Sequence, residues 1–266
     1  MFKDLEKLKK LIKEEEVILF VGAGVSATLK KFPLWSELIE HIANELNVNP
    51  DDFDDTKDSL ILAEYYALKK GNDYLKNWMK NSWKVSDEKI KKSRIYKNIV
   101  ELNFPIIYTT NYDHCLEQAF KTFKKDFTKI KNIDDLVHLN PDKTQIIKFH
   151  GDMDSETPLV LTEKSYFERL DFNSPLDIKL RADMLGKSVL FIGYSLSDIN
   201  IRLLVYKLNQ LWSKSNTENK PDLYIFMAKP NIVQEEVLKT RGVIPIIGEK
   251  MDETQSLDAF LESLRD

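Results

Sequence analysis

The chain has 266 residues, 42% of them hydrophobic and 31% charged, enough to bury one large core. A net charge of −4 and a pI near 5.7 exclude a global drive toward nucleic acid or an anionic membrane. The N-terminal MFKDLEKLKKLIKEEE is too charged for a signal peptide, no apolar run reaches membrane-spanning length, and the single Cys115 excludes an internal disulfide or cysteine-rich zinc ribbon. These features fit a cytoplasmic α/β protein.

Leu5, Leu8, Leu11 and Ile12 are spaced as one face of a helix ahead of the first strand. Val17–Ser26, VILFVGAGVS, reads as a β-branched strand, a tight Gly-Ala-Gly turn and a helix start. Such a turn brings backbone N–H groups and a helix N-terminus toward a phosphate, although the third glycine of the usual dinucleotide fingerprint is missing. Pro33 marks a turn before an amphipathic SELIEHIANEL helix. From about residue 47 to about residue 103 there is no convincing strand. Three helices are expected there, carrying Tyr65, Tyr66, Tyr74, Trp78 and Trp83 as core rather than as a base-stacking platform.

Strand–helix alternation then resumes, with strands at IIYTT, IIKFH, VLFIG, DLYIFMA and IPIIG and a closing SLDAFLESLRD helix. The polar segment Ser213–Pro221 joins a helix to a strand and is no domain boundary. The fold expected is α/β, a doubly wound, mostly parallel Rossmann-like sheet of about six strands. Residues 1–266 then form a single domain: the N-terminal part to residue 46 and residues 104–266 build the sheet, and about 47–103 is a helical insertion roofing one end of the cleft.

Four apolar runs end in polar clusters that an open parallel sheet gathers at one edge. Asn111, in TTNYD, lies two residues too early to cap the next helix, and its amide is suited to orienting a sugar hydroxyl or a water. Asp113 reads equally well as a helix cap or as part of a site. His150, in FHGD, ends a strand beside a glycine and has the side chain suited to proton transfer near neutral pH. Asp152 either orients a neighbour or ends the strand in a turn. In GYSLSD, Ser197 or Asp198 caps the following helix, while Gly193 and the hydroxyls form a second phosphate- or ribose-contacting turn. His41, His114 and His138 lack metal-ligand spacing and read as structural.

In this order, GAGVS, TTNYD, FHGD and GYSLSD resemble the GAG[IV]S, T-Q-N-x-D, His-Gly and G-T-S segments of the sirtuin (Sir2-like) superfamily. The resemblance implies NAD as substrate and cleavage of its nicotinamide–ribose bond; no metal is expected, because one cysteine cannot supply the zinc-binding pairs of the deacylating members. Asn111 and His150 would be catalytic; Gly22, Ala23, Gly24, Ser26, Asp113, Gly193 and Ser195 would contact the dinucleotide. The two Cys-x-x-Cys pairs of protein-deacylating sirtuins are absent, and KKFPLWSELI stands where they carry G-[IL]-P-D-F-R. Asn-Tyr-Asp and the Pro-x-Trp-like turn resemble instead the bacterial antiphage-defence branch, with its Thoeris NADase effector and defence-associated sirtuins. That branch implies an NAD+ hydrolase yielding nicotinamide and ADP-ribose. The alternatives are a non-catalytic NAD or ADP-ribose sensor and an NAD-dependent deacylase. It also implies a homo-oligomer, for which the apolar faces of the first and last helices are candidates unless they pack on the chain's own sheet, the reading each face favours taken singly, and an activating HerA-type ATPase, short Argonaute or signalling nucleotide.

Overall fold

Val17–Val21, buried along its whole length, becomes the central strand β1 of a seven-stranded sheet. The computed structural model describes residues 2–29, 32, 34–48, 58–154, 156, 158–196, 198–214, 220–249 and 252–265; Lys30-Lys31, Pro33, Ser197 and most of the 213–221 loop lie outside them. The strands are β1, β2 (Ile106–Thr109), β3 (Phe127–Ile130), β4 (Thr144–Lys148), β5 (Ser188–Ile192), β6 (Leu223–Met227) and β7 (Val243–Ile247). Their spatial order is β3-β4-β2-β1-β5-β6-β7, and every pairing is parallel.

Helices α1 (Phe2–Lys13), α2 (Ala23–Ala27) and α3 (Trp35–Leu46) surround β1 in sequence. Among the described residues four helices follow before β2: α4 (Ser59–Lys70), α5 (Asn72–Ser82), α6 (Asp87–Lys92) and α7 (Arg94–Glu101). The remainder are α8 (Cys115–Thr122), α9 (Ile133–Val137), α10 (Glu163–Phe167), α11 (Pro175–Gly186), α12 (Ile199–Ser213), α13 (Ile232–Thr240) and α14 (Glu253–Ser263).

Strand side chains alternate between two cores, as burial on both faces of a parallel sheet requires. Leu19, Ile107, Leu190 and Tyr224 enter the core covered by α1, the helices before β2, α8 and α14. Phe20, Tyr108, Phe191 and Ile225 enter the core covered by α11, α12 and α13.

Three expectations are corrected. The sheet has seven strands, because the short, half-buried edge strand β3 follows a left-handed turn at Lys124 and carries little apolar signal. The 87–101 stretch is two helices, broken where the Ser93 side chain accepts the Tyr96 N–H and caps α7. The apolar faces of the end helices are not free for self-association: Leu8 and Ile12 on α1, and Leu257, Phe260, Leu261 and Leu264 on α14, are buried in this chain's own core, with Leu5 and Leu11 packed against it. Of the five insertion aromatics, Tyr66 and Trp83 are buried and Trp78 packs against the core. Tyr65 and Tyr74 are exposed, beneath the ammonium groups of Lys69 and Lys70.

Strand order reverses direction between β1 and β5, and there the first and fourth polar turns meet. The Gly22 N–H donates to the Ile192 carbonyl at 3.0 Å and the Gly24 N–H to the Gly193 carbonyl at 2.9 Å. A Cβ on Gly22 would lie 2.3 Å from the Gly193 oxygen; one on Gly193, whose φ is +58°, would lie 2.5 Å from the Val25 nitrogen. Gly193→Ala therefore combines left-handed strain of about 1–2 kcal/mol with a backbone clash. A melting temperature lower by at least several degrees is expected in a thermal scan, and an unchanged one would contradict this packing.

Candidate active site

The C-terminal ends of β1, β2, β4, β5 and β6 open into one cleft of about 940 Å³. Ala23, Gly24, Ser26, Asn111, Asp113, His150, Gly193 and Ser195 all line it; Gly22 lies behind the wall and acts through its carbonyl. Leu34 and Trp35 at the start of α3, Asp58, Ser59 and Leu60 at the start of α4, and Trp83 after α5 form the opposite side. The Trp35 indole donates to the Ser59 hydroxyl at 3.1 Å and joins the two helix starts.

Asn111 does not cap α8. Its Nδ2 donates to the Gly22 carbonyl and to Ser26 Oγ, both at 3.1 Å, and its backbone N–H donates to Thr109 Oγ1 at 3.0 Å. With both amide hydrogens committed, the amide orientation is set and Oδ1, an acceptor, is the group left for a ligand. Ser26 gives its one proton to Asp113 Oδ2 at 2.8 Å, so the 3.2 Å contact with Tyr96 is donated by the phenol. Asp113 stands one residue before the cap position of α8, which is His114: its Oδ1 accepts the Cys115 N–H, and its Oδ2 holds Ser26.

His150 stands two residues beyond β4 and is 2% exposed. Burial pushes its pKa down to about 4; Asp198 pulls it upward, Arg169 downward and Asp177 upward, without cancelling the burial. The imidazole is therefore neutral at pH 7, the form a general base requires. Its Nε2 lies 3.2 Å from Asp198 Oδ2, an ion-pair distance without hydrogen-bond alignment. Asp198 itself caps α12 by accepting the Asn200 and Ile201 N–H groups through Oδ1.

Asp152 points away from the cleft. It is fully buried, accepts from His114 at 3.0 Å if that nitrogen carries its proton, and pairs with Lys129 at 2.5 Å. Burial alone would raise its pKa, but His114, Lys148 and Lys129 outweigh that and hold the carboxyl well below the usual range. His114, Asp152 and Asp154 bring three possible metal ligands together, a grouping that sequence spacing did not show. Lys129 on Asp152 and Lys80, 3.5 Å from Asp154, supply positive charge to these carboxylates. Buried Lys148 donates to the Asp113 carbonyl and so ties the Asn111 loop to β4. Arg169 donates to the Phe149 carbonyl and pairs with Asp177 beneath His150.

The region from residue 105 to residue 246, more than half of the chain, matches the model of the SIR2-like domain family. The chain belongs to that family. Among curated proteins, this SIR2-like chain is 28% identical over 229 residues to the NAD(+) hydrolase ThsA of Cytobacillus dafuensis, covering 85% of this chain and 44% of that protein. It is 27% identical over 230 residues to the ThsA of Enterococcus faecium, with 85% and 46% covered. Defense-associated sirtuin 2 of Bacillus subtilis is 27% identical over 228 residues, 84% of this chain and 22% of that protein. The chain thus spans less than half the length of these relatives. Among solved structures, Sir2Tm bound to a propionylated peptide aligns over 97% of both chains at 12% identity, with a TM-score of 0.47.

The buried imidazole makes stability depend on pH. Unfolding returns His150 to a value near 6.5. Between about pH 6.5 and about pH 4 the unfolded chain binds a proton there that the folded chain refuses, so acidification favours unfolding. Above that window the contribution is constant; below it both states carry the proton. The full shift corresponds to on the order of 3 kcal/mol. Melting curves from pH 7 to pH 4 are expected to fall more steeply for the wild type than for His150→Asn. Parallel curves would show that His150 is not held neutral.

Proposed function

We propose that this chain binds NAD+ and hydrolyses its nicotinamide–ribose bond, and that it serves in antiphage defence. The observation that carries this reading is the convergence of Asn111 and His150 with the two glycine turns on one cleft. The ThsA relatives named NAD(+) hydrolase and the relative named defense-associated sirtuin support it. The turns after β1 and β5 would face the diphosphate, with the Gly22 and Gly24 N–H groups themselves donated to the Ile192 and Gly193 carbonyls, and the helical side of the cleft would cover the nicotinamide end.

The glycosidic bond breaks with its electron pair passing to the pyridinium nitrogen, so nicotinamide leaves neutral and positive charge develops on the ribose. Water adds its oxygen to that carbon. Asn111 Oδ1 accepts a hydrogen bond from the water or a ribose hydroxyl and orients it, and His150 takes the released proton. NAD+ and water thereby give nicotinamide, ADP-ribose and a proton. The chain's contribution is positioning and electrostatics.

Nicotinamide release from NAD+, followed by chromatography, tests the reading. Asn111→Ala and His150→Ala are each expected to lose about 10²- to 10⁴-fold in rate. Full activity in both variants would refute the assignment, and NAD+ binding without product in the wild type would make the chain a sensor. The same proposal includes a switch: activity is held off until the chain self-associates or meets an activating partner. Light scattering over a concentration series beside the assay reads this, and a fully active monomer at every concentration would remove it.

A further inference from the structure

His150 cannot be a directed base unless something decides which of its nitrogens carries the proton. In a neutral imidazole one nitrogen donates and the other accepts, and the partner of one nitrogen selects the role of the other. The nearest acidic group is the Asp198 carboxylate, 3.2 Å from Nε2, with side-chain exposures of 3% for His150 and 9% for Asp198.

Asp198 divides its two oxygens. Oδ1 is committed to the Asn200 and Ile201 N–H groups at the start of α12. Oδ2 faces His150 and also lies 3.4 Å from the Tyr166 hydroxyl. Helix capping thus fixes the carboxylate in place, and the positive end of a 15-residue helix favours negative charge there. The Tyr166 ring packs edge-on against the His150 ring at 5.4 Å.

We propose that Asp198 is the positioning residue of His150: the 3.2 Å contact is not aligned as a hydrogen bond in this geometry, and a small turn of the imidazole lets Nε2–H donate to Oδ2, which holds the proton on Nε2, leaves the Nδ1 lone pair as the base, and stabilises the imidazolium once the proton has been taken up. The inference rests on the proposed hydrolysis for its catalytic consequence, but the pairing itself concerns the resting protein. The other groups bearing on the pair are Arg169 just beyond α10, Asp177 on α11, Tyr166 on α10, Tyr112 on the loop after β2 and Tyr194 on the loop after β5. Arg169 and Asp177 pair with each other. That leaves the Asp198 carboxylate as the negative charge facing Nε2 at close range.

Asp198→Ser separates the two duties, since serine caps a helix about as well as aspartate but brings no carboxylate to His150. Nitrogen-15 NMR of histidine-labelled protein at pH 7, assigned with His150→Asn, is expected to show His150 protonated at Nε2. In Asp198→Ser the signal should move toward a tautomer mixture while the melting temperature stays within a few degrees. In the nicotinamide assay, kcat is expected to drop by at least about tenfold, with KM within about twofold. Asp198→Ala should add the loss of the cap, visible as a lower melting temperature. An Nδ1-protonated wild type, or a His150 signal unchanged in a folded Asp198→Ser protein, would overturn the proposal even if nicotinamide is released. A wild type that releases no nicotinamide but shows the expected NMR change would refute the hydrolysis and leave the pairing standing.

Discussion

The closeness of two backbone turns, at the point where the sheet reverses its winding, governs the rest of the site. The turns after β1 and β5 touch through the Gly24 N–H and the Gly193 carbonyl, with no room for a Cβ on either Gly22 or Gly193. That contact fixes the Gly22 carbonyl, on which Asn111 hangs from the β2 side. It also fixes where the loop toward Asp198 begins, and with it the carboxylate beside His150. A wider separation of the turns would displace both halves of the site at once, so the two glycines act on chemistry they do not touch.

A second set of contacts joins the loops bearing Asn111 and His150. The Tyr112 hydroxyl donates to the Val160 carbonyl at 2.8 Å, and the Val160 N–H donates to the His150 carbonyl at 2.9 Å. Lys148 reaches from β4 to the Asp113 carbonyl, and Thr109 bridges the Val21 carbonyl and the Asn111 N–H. Many of the polar groups here are engaged by the protein itself, while His150 Nε2 and the Asn200 side-chain amide make no hydrogen bond. The acceptor oxygen of Asn111 is held in place by the two hydrogen bonds of its own amide, which is preorganisation at that residue.

Much of this was readable from the chain. A β-branched run that stops at glycine marks a strand end, and four such ends sharing one edge follow from parallel topology, so Asn111, His150 and the glycine turns could be grouped without coordinates. Elements with a weak apolar signal were not readable. β3 is a half-buried edge strand; α13 buries only Leu238; α11 spreads its apolar residues around the helix, with Leu180 and Met184 buried but Ile178 and Leu185 exposed. The double use of side chains was equally hidden. Asp113 and Asp198 have the local sequence of helix caps; Asp198 caps α12 and Asp113, one residue before the cap position of α8, accepts the Cys115 N–H, but the second oxygen of each faces a residue 87 or 48 positions away. Spacing along one helix carries no trace of such a partner. For the same reason the apolar faces of α1 and α14 suggested an interface: amphipathicity shows that a face is covered, not by what.

Burial works in opposite directions on the two key side chains. For Asn111 it costs little, because each amide hydrogen has an acceptor. For His150 it costs stability only below about pH 6.5, where the folded chain keeps neutral a group that the unfolded chain protonates. The Asp198 carboxylate at contact distance pulls against that effect but does not cancel it, so the imidazole stays neutral in the resting protein. A carboxylate placed freely in so dry a site would itself be costly. Fixing it as the cap of α12 removes that difficulty, because the helix supplies two N–H donors and a favourable dipole to the same group that faces the histidine. The fold and the proposed chemistry therefore draw on one anion, and the start of α12 is set by both.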